Sequence, residues 1–332
     1  MHLRYLGPLA FGLALWMVVA VLRMPAARKR AVWFFLLLAL ANLMWAGQGP
    51  AVKLLENQIA PIALTFLPFY VATILLIPLL LVERRSRGRT TWPSLQDWGI
   101  FVAAGIFGQI AAQLGATLGT ENSSASNYSI LNLLVPVITA VMATLMLRER
   151  MTFLRILCLA IGLVGVFLLS VSDLQQASFV KLGFLVGNLL CLLSCFGSAY
   201  YNVYCKGLLT RYGQTEILVY SYITASIASL PALFWEMKWG HFTPHGPLTA
   251  SSWLAFIFLA VFMYGLSMVL FFYVLRHLTV TVASFSIYMV PIFGVLLSFW
   301  LVGERLNGVQ IAGSAVVLLA TVLIVKFDPL EA

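Results

Sequence analysis

Apolar runs of about twenty residues recur along the whole chain, with short polar segments between them. A run of that length, folded as a helix, spans the hydrocarbon core of a bilayer, which is about 30 Å thick. The runs show no strict alternation of apolar and polar residues, so they predict helices and not the strands of a barrel. Eleven spans are predicted, at residues 6–22, 31–52, 59–82, 98–118, 124–147, 154–172, 180–205, 216–235, 251–275, 281–302 and 308–325.

The composition agrees with this pattern. Of the 332 residues, 62% are hydrophobic and 9% are charged, whereas a soluble domain is about half apolar and about a quarter charged. We therefore expect an integral protein of a bacterial inner membrane. The net charge of +9 comes from basic residues scattered between the apolar runs, a distribution typical of membrane loops, so we expect no nucleic-acid partner.

The basic residues also predict an orientation. With the N-terminus outside, 15 of the 20 Lys and Arg residues fall on the cytoplasmic side, as the positive-inside rule requires. The C-terminus is then cytoplasmic. Span 6–22 follows Arg4 as a secretory signal would, but the basic cluster after it and the lack of a small-residue cleavage site favour an extra helix that is retained.

One stretch of the sequence occurs twice. Pro136 is followed thirteen residues later by Glu149, and Pro291 is followed thirteen residues later by Glu304. Each glutamate precedes an arginine, and the offset of 155 residues needs no gap. The chain therefore reads as two copies of one unit, after an N-terminal segment that comprises residues 1–30. The copies are 31–175 and 176–332.

Each copy contains five predicted spans, and five is an odd number. The second copy must therefore cross the membrane upside down relative to the first. We expect an all-α, polytopic membrane protein whose ten-helix core is two inverted five-helix repeats, with one extra N-terminal transmembrane helix. Inverted repeats are typical of transporters, since two equivalent halves can open one side and then the other.

The residues around the two copies resemble those of EamA-domain proteins in the drug/metabolite transporter superfamily. In the second copy the resemblance rests on Ala283-Ser-Phe, Pro291 and Leu301-Val-Gly-Glu-Arg-Leu-Asn-Gly; in the first copy Arg148 stands where Gly303 stands in the second. The resemblance implies two inverted five-helix halves around a central cavity. The first, third and fourth helices of each half would line that cavity.

Uncharged polar and aromatic residues lie deep in those six helices. Buried amides are costly unless they meet protein, water or a ligand. These residues could form hydrogen bonds between helices, or they could contact a substrate. The shared faces of Gln109 with Gln113, and of Asn42 with Trp45 and Gln48, favour the second. The predicted substrate-binding residues are Asn42, Trp45, Gln48, Gln109, Gln113, Asn132, Tyr200, Tyr264 and Tyr288.

Residues that interrupt helices are candidate hinges. Pro136 and Pro291 remove a backbone donor within a span, and Gly49 and Pro50 weaken span 31–52 beside Gln48. These four residues are predicted to serve in hinge motion or gating. Glu149 and Glu304 precede new helices, where a carboxylate favours the positive end, so both are predicted to be structural turn residues.

No nucleophile, His cluster or carboxylate pair lies within the spans, so we expect no enzyme and no cofactor. The four cysteines are not joined by His or carboxylates, and no metal is expected. The leading prediction is a secondary transporter, monomeric or dimeric, that exports a small neutral or zwitterionic metabolite such as an amino acid. The alternatives are uptake of a quaternary amine such as choline, bound by Trp45, Tyr200 and Tyr288, and a membrane helper or receptor without transport.

Overall fold

A computed structural model of the chain describes residues 26–88, 92–170, 184–240, 246–297 and 308–327. Span 6–22 and Glu304 lie outside the described residues. Within those ranges the chain is helical and contains no strand.

The first part of the chain forms eight helical elements. Two of them, α4 and α5, are joined by a π-helical segment at Ala104–Ile110. The helices are α1 (Ala26–Ala46), α2 (Gln48–Leu55), α3 (Pro61–Ser86), α4 (Leu95–Ala103), α5 (Ala111–Glu121), α6 (Ala125–Asn132), α7 (Val135–Leu147) and α8 (Phe153–Leu169).

The second part of the chain forms seven described helices. A π-helical segment at Phe258–Leu266 joins α11 to α12, and a 3₁₀ turn at Ser286–Tyr288 joins α13 to α14. The helices are α9 (Leu185–Leu208), α10 (Gln214–Trp239), α11 (Ala250–Ile257), α12 (Ser267–Leu275), α13 (Val280–Phe285), α14 (Met289–Leu297) and α15 (Gly308–Phe327).

The described chain contains eight helices that are long and apolar enough to cross a membrane. The shorter apolar α8 overlaps the predicted span 154–172, and α9 overlaps the predicted span 180–205. Large apolar side chains stand exposed on the outer surfaces of these helices, among them Ile74 at 63% and Phe107 at 64% exposure. Such surfaces are stable against lipid and not against water, so the chain is an integral membrane protein.

Glycine allows the closest helix crossings. A methyl group on Gly313 of α15 would lie 2.7 Å from the carbonyl oxygen of Gly165 on α8, so the two backbones are in direct contact. Gly119 on α5 meets Cys191 of α9 in the same manner. The hydrophobic effect does not drive apolar helices together in lipid. Close packing of small residues is therefore a main source of helix association in membranes.

Helices α3 and α10 hold one another at both ends, and we call them the α3–α10 pair. The carboxylate of Glu236, near the end of α10, accepts the backbone N–H groups of Ile62 (2.7 Å) and Ala63 (2.8 Å) at the start of α3. Glu83, near the end of α3, accepts the N–H of Thr215 (2.8 Å) at the start of α10. Each glutamate therefore caps the positive end of the other helix.

Candidate functional site

A cavity of about 900 Å³ lies between helices from both parts of the chain. Its lining includes Glu56 at the end of α2, Glu121 at the end of α5, Ser170 after α8 and Gln310 at the start of α15. These helix ends lie on one side of the protein, which we call the open face. The cavity is large enough for a small metabolite.

The deeper walls of the cavity are uncharged, and polar and aromatic side chains stand in them among many apolar ones. They include Trp45, Asn132, Tyr264 and Tyr288. Tyr264 belongs to the π-helical segment of the α11–α12 span, and its hydroxyl donates to Oε1 of Gln113 at 3.3 Å. π-Helical turns are frequent at functional sites because they change which side chains face inward.

The hydroxyl of Tyr288 has no hydrogen-bond partner among the described residues. The side chain is 1% exposed, and it forms part of the cavity wall. Gly162 on α8 makes room for its ring, since a methyl group there would come within 2.6 Å of the Tyr288 Cδ2. A buried hydroxyl without a partner is costly, so this atom is the best candidate in the cavity for a hydrogen bond to a ligand.

Closer to the open face the wall carries hydroxyl groups and then charges. Thr65 and Thr117 share a hydrogen bond of 2.7 Å across α3 and α5. The charged lining residues are Lys53, Glu56 and Glu121, and all three are exposed. The arrangement is a neutral interior behind a mixed-charge mouth, which suits a small ligand without a strong net charge.

On the opposite side of the molecule, which we call the basic face, a carboxylate binds the start of α13. Glu149, in the turn between α7 and α8, accepts the N–H groups of Val280 (2.7 Å) and Thr281 (3.2 Å) and the Thr281 hydroxyl (2.8 Å). This carboxylate therefore caps the N-terminus of α13, although Glu149 was predicted to serve its own following helix.

Lys206 of α9 holds the same turn from its other end. Its ammonium group donates to the carbonyl oxygens of Leu275 and Leu278, both at 2.8 Å. A cation thus meets the C-terminus of α12 while an anion meets the N-terminus of α13, each at the end of the helix dipole that it stabilises. We call Glu149 and Lys206, with the α12–α13 turn between them, the basic-face clamp.

Eight of the residues predicted for substrate binding or gating line the cavity. They come from spans that are distant in sequence, and the fold brings them to one space. These residues are Trp45, Gln48, Gly49, Gln113, Asn132, Tyr264, Tyr288 and Pro291.

Three predicted binding residues lie elsewhere. The Asn42 amide donates to the carbonyl of Leu38 and to the hydroxyl of Ser286, and Asn42 is fully buried. Gln109 is buried against the hydroxyl of Tyr201. Tyr200 stacks on Tyr204 at 5.1 Å between ring centroids, away from the cavity.

The prolines occupy equivalent places. Pro136 lies in the first turn of α7, after the break that separates α6 from α7, and Pro291 lies in the first turn of α14, after the 3₁₀ turn. The first turn lacks internal acceptors for its N–H groups, so proline is tolerated there. Neither proline kinks a continuous helix, and their role in gating remains a prediction.

The break in span 31–52 is a single residue, Gly47, with the ring of Phe258 packed against it. Gly49 and Pro50 belong to the first turn of α2, and Pro50 is exposed and lies outside the cavity lining. The expected unwinding beside Gln48 is therefore limited to one residue. The gating role of Gly49 and Pro50 likewise stays a prediction.

Several lining residues were not among those predicted. Tyr128 reaches the cavity from α6, and Ser194 lines the same cavity. Thr65 and Thr117 lie about one turn inside the open face and pair with each other. A sequence signal exists for Tyr128, since it stands four residues before Asn132 on one helix face. Thr65 carries no such signal, because a threonine can satisfy its hydroxyl within its own helix.

Comparison with protein families matches both parts of the chain to the same family. A profile of the EamA-like transporter family matches residues 32–171 and again residues 185–326. Together these matches cover most of the chain.

Individual relatives are named as transporters. An uncharacterized transporter of Archaeoglobus fulgidus is 25% identical over 88% of this chain and 98% of its own length. A probable terminal-alkyne amino-acid exporter of Streptantibioticus cattleyicolor is 25% identical over 89% of this chain and 93% of its own. The riboflavin transporter ImpX of Fusobacterium nucleatum is 24% identical over 88% of this chain and 97% of its own.

A solved crystal structure shares the fold. It superposes with a TM-score of 0.72 over 89% of this chain and 99% of the other, at 17% identity. At that identity the likeness supports the helical architecture alone.

Proposed function

Because the chain belongs to the EamA-like transporter family, we propose that it moves a small neutral or zwitterionic metabolite, an amino acid or a related compound, out of the cell by alternating access. The family assignment makes the protein a transporter and not an enzyme. The finer proposal concerns substrate, direction and mechanism.

The substrate class is supported by the cavity. Its interior offers the unpartnered hydroxyl of Tyr288, the Tyr264–Gln113 pair, the Asn132 amide and the Trp45 ring, and no charge. Such groups bind polar neutral atoms and pack against apolar parts of a ligand. A phosphate ester would call for convergent basic side chains, and Lys53 is the one basic residue in the lining.

The choice of an amino acid leans on one relative, which is named an exporter of a terminal-alkyne amino acid. Another relative is named a riboflavin transporter, so the family fold accommodates different substrates. A cage of Trp45, Tyr200 and Tyr288 for a quaternary amine is not assembled here, because Tyr200 stacks on Tyr204 outside the cavity.

Alternating access is supported by the internal correspondence of the two parts of the chain. The α3–α10 pair makes reciprocal contacts, and the α4–α5 and α11–α12 spans each carry a π-helical segment. The breaks beside Pro136 and Pro291 also correspond. We interpret these pairs as equivalents in two inverted repeats.

The conformation is then outward-open. The basic face carries Arg84, Arg148, Lys206 and Arg276 at or near helix ends, and the positive-inside rule would place it in the cytoplasm. The cavity would open to the outside while the basic-face clamp seals the cytoplasmic side. Opening to the cytoplasm would require that Glu149 release α13.

The hydroxyl of Tyr288 carries the site assignment, and Tyr288→Phe tests it. The change removes one atom that has no hydrogen-bond partner among the described residues, so folding is expected to be preserved. In proteoliposomes loaded with an amino acid found by a thermal-shift screen, we expect KM to rise about fivefold, the value of one hydrogen bond. Tyr204→Phe, in the stack outside the cavity, is the matched control. Equal kinetics for both variants would remove Tyr288 from the site.

A further inference from the structure

A second cleft, of about 430 Å³, lies between α7 and α8 and is separate from the cavity. The helices contribute residues spaced three, four and seven apart, so the cleft runs along both helices for two turns, or about 12 Å. Its walls include Val137, Ala140 and Leu145 on α7 and Ile156, Ala160 and Leu163 on α8. We call it the α7–α8 groove.

The side chains that line the groove are apolar, apart from one threonine whose hydroxyl already has a hydrogen-bond partner. The one hydroxyl in its lining, that of Thr144, donates to the carbonyl oxygen of Ala140 at 2.9 Å. Several lining residues are exposed, among them Leu145 at 76% and Ile156 at 52%. The groove therefore faces the lipid, and the part of a ligand that fills it must be apolar.

Positive charge stands at one end of the groove. Met151, in the turn that joins α7 to α8, is a lining residue. Arg148 and Arg150 of the same turn are exposed, and neither forms an ion pair within the described ranges. The carboxylate between them, that of Glu149, is committed to the start of α13. Among the described residues, no carboxylate forms an ion pair with either arginine.

The backbone at Arg148 is unusual. Its φ of 56° makes it the sole non-glycine residue with positive φ in the described part of the chain. It ends α7 in the left-handed conformation, where glycine is the preferred residue. The sequence has glycine at the corresponding position of the second copy, Gly303. The first copy therefore has a positively charged residue, Arg148, at a position whose backbone conformation favours glycine.

We propose that the α7–α8 groove binds an anionic phospholipid, with an acyl chain between the helices and its phosphate at Arg148 and Arg150. Arginine recognises phosphate through paired N–H donors, and basic clusters at the membrane surface attract anionic lipids. A second copy of the chain fits less well, because a symmetric contact through this groove would bring the arginines of the two copies together.

Native mass spectrometry of the purified full chain, titrated with phosphatidylglycerol or phosphatidylcholine, tests the site. We expect the wild type to bind more phosphatidylglycerol than phosphatidylcholine. Arg148→Gly removes the charge at a position where glycine is conformationally favoured, so the fold is preserved; we expect phosphatidylglycerol binding to fall about fivefold. Arg148→Lys should retain most of the binding.

A second pair of variants tests the groove itself. Ala160→Trp fills it from an exposed position, and Val164→Trp, one turn along α8 and 57% exposed, is the control outside the lining. Ala160→Trp alone should lose the retained lipid. The proposal is overturned if Arg148→Gly keeps the preference for phosphatidylglycerol, if both Trp variants behave alike, or if Ala160→Trp breaks a dimer that holds no lipid.

Discussion

In both the α3–α10 pair and the basic-face clamp, glutamate side chains cap the N-termini of other helices. The pair has such a cap at both ends, whereas the clamp has one at a single face. In the pair, Glu83 and Glu236 cap helices at both ends, so the contact is balanced across the membrane. In the clamp, Glu149 caps α13 at the basic face, while the cavity lies open at the other face. A contact made at both ends holds two helices together in any conformation. A contact on one side alone can favour one conformation over another.

The strongest test of this difference is loss of a cap in the α3–α10 pair. Glu236→Ala leaves the N–H groups of Ile62 and Ala63 without their charged acceptor. We expect the free energy of unfolding in detergent to fall by about 3 kcal/mol. The measurement is thermal or denaturant unfolding, with Glu56→Ala, at the exposed mouth of the cavity, as the control. A loss no larger than the control's would show that the pair does not hold the fold.

Loss of the clamp should change conformation more than stability. Glu149→Gln weakens the cap on α13 and favours opening at the basic face. A cysteine introduced as Ser284→Cys, in fully buried α13, should then react with a maleimide about tenfold faster, as expected for roughly 1.4 kcal/mol. The four natural cysteines are buried, and the parent protein measures their background. An unchanged rate would mean that Glu149 does not hold this face closed.

Gln109 and Gln113 belong to one span, but Gln109 contacts packed helices beside the α3–α10 pair and Gln113 lines the cavity. Gln109 contacts Tyr201, whose hydroxyl shares a hydrogen bond with Ser221 of α10, so it belongs with the α3–α10 pair. Gln113 contacts Tyr264 in the cavity. Gln113→Leu should raise the KM for transport about fivefold with stability retained, and Gln109→Leu should lower stability by about 1 kcal/mol. Flux and unfolding curves separate the two outcomes; a reversed pattern would exchange their roles.

The smallest effect is expected at Tyr200. Its ring stacks on Tyr204 outside the cavity, so Tyr200→Phe should change flux by less than about twofold. A large loss of transport, compared with Tyr204→Phe, would show that Tyr200 enters the pathway in another conformation.

The sequence predicts the helices well, because apolar length is what a bilayer selects. It also predicts that amides and aromatic residues meet in one space, as Gln113, Asn132 and Tyr288 do. It does not separate Gln113 from Gln109, since both lie on one face four residues apart. Gln109 lies in the π-helical segment at Ala104–Ile110, and Gln113 lies just after it in α5. The segment alters the helical period, which the regular 3.6-residue pattern does not reveal.

The role of Glu149 in capping α13 also could not be predicted from the sequence. Its position before α8 predicts a local turn, and its actual partners, Val280 and Thr281, lie 131 and 132 residues away. Contacts at such a distance depend on how the helices pack, and no local pattern encodes them. The reciprocal caps of Glu83 and Glu236 were missed for the same reason.

Paired distance measurements across the two faces test the central claim most directly. Spin labels at Asn122 and Val309 report on the open face, and labels at Arg150 and His277 report on the basic face; all four positions are exposed. Double electron–electron resonance on the parent and on Glu149→Gln compares the two pairs. Alternating access predicts that the variant lengthens the basic-face distance and shortens the open-face distance. Distances that change in the same direction, or that change at one face alone, would contradict it.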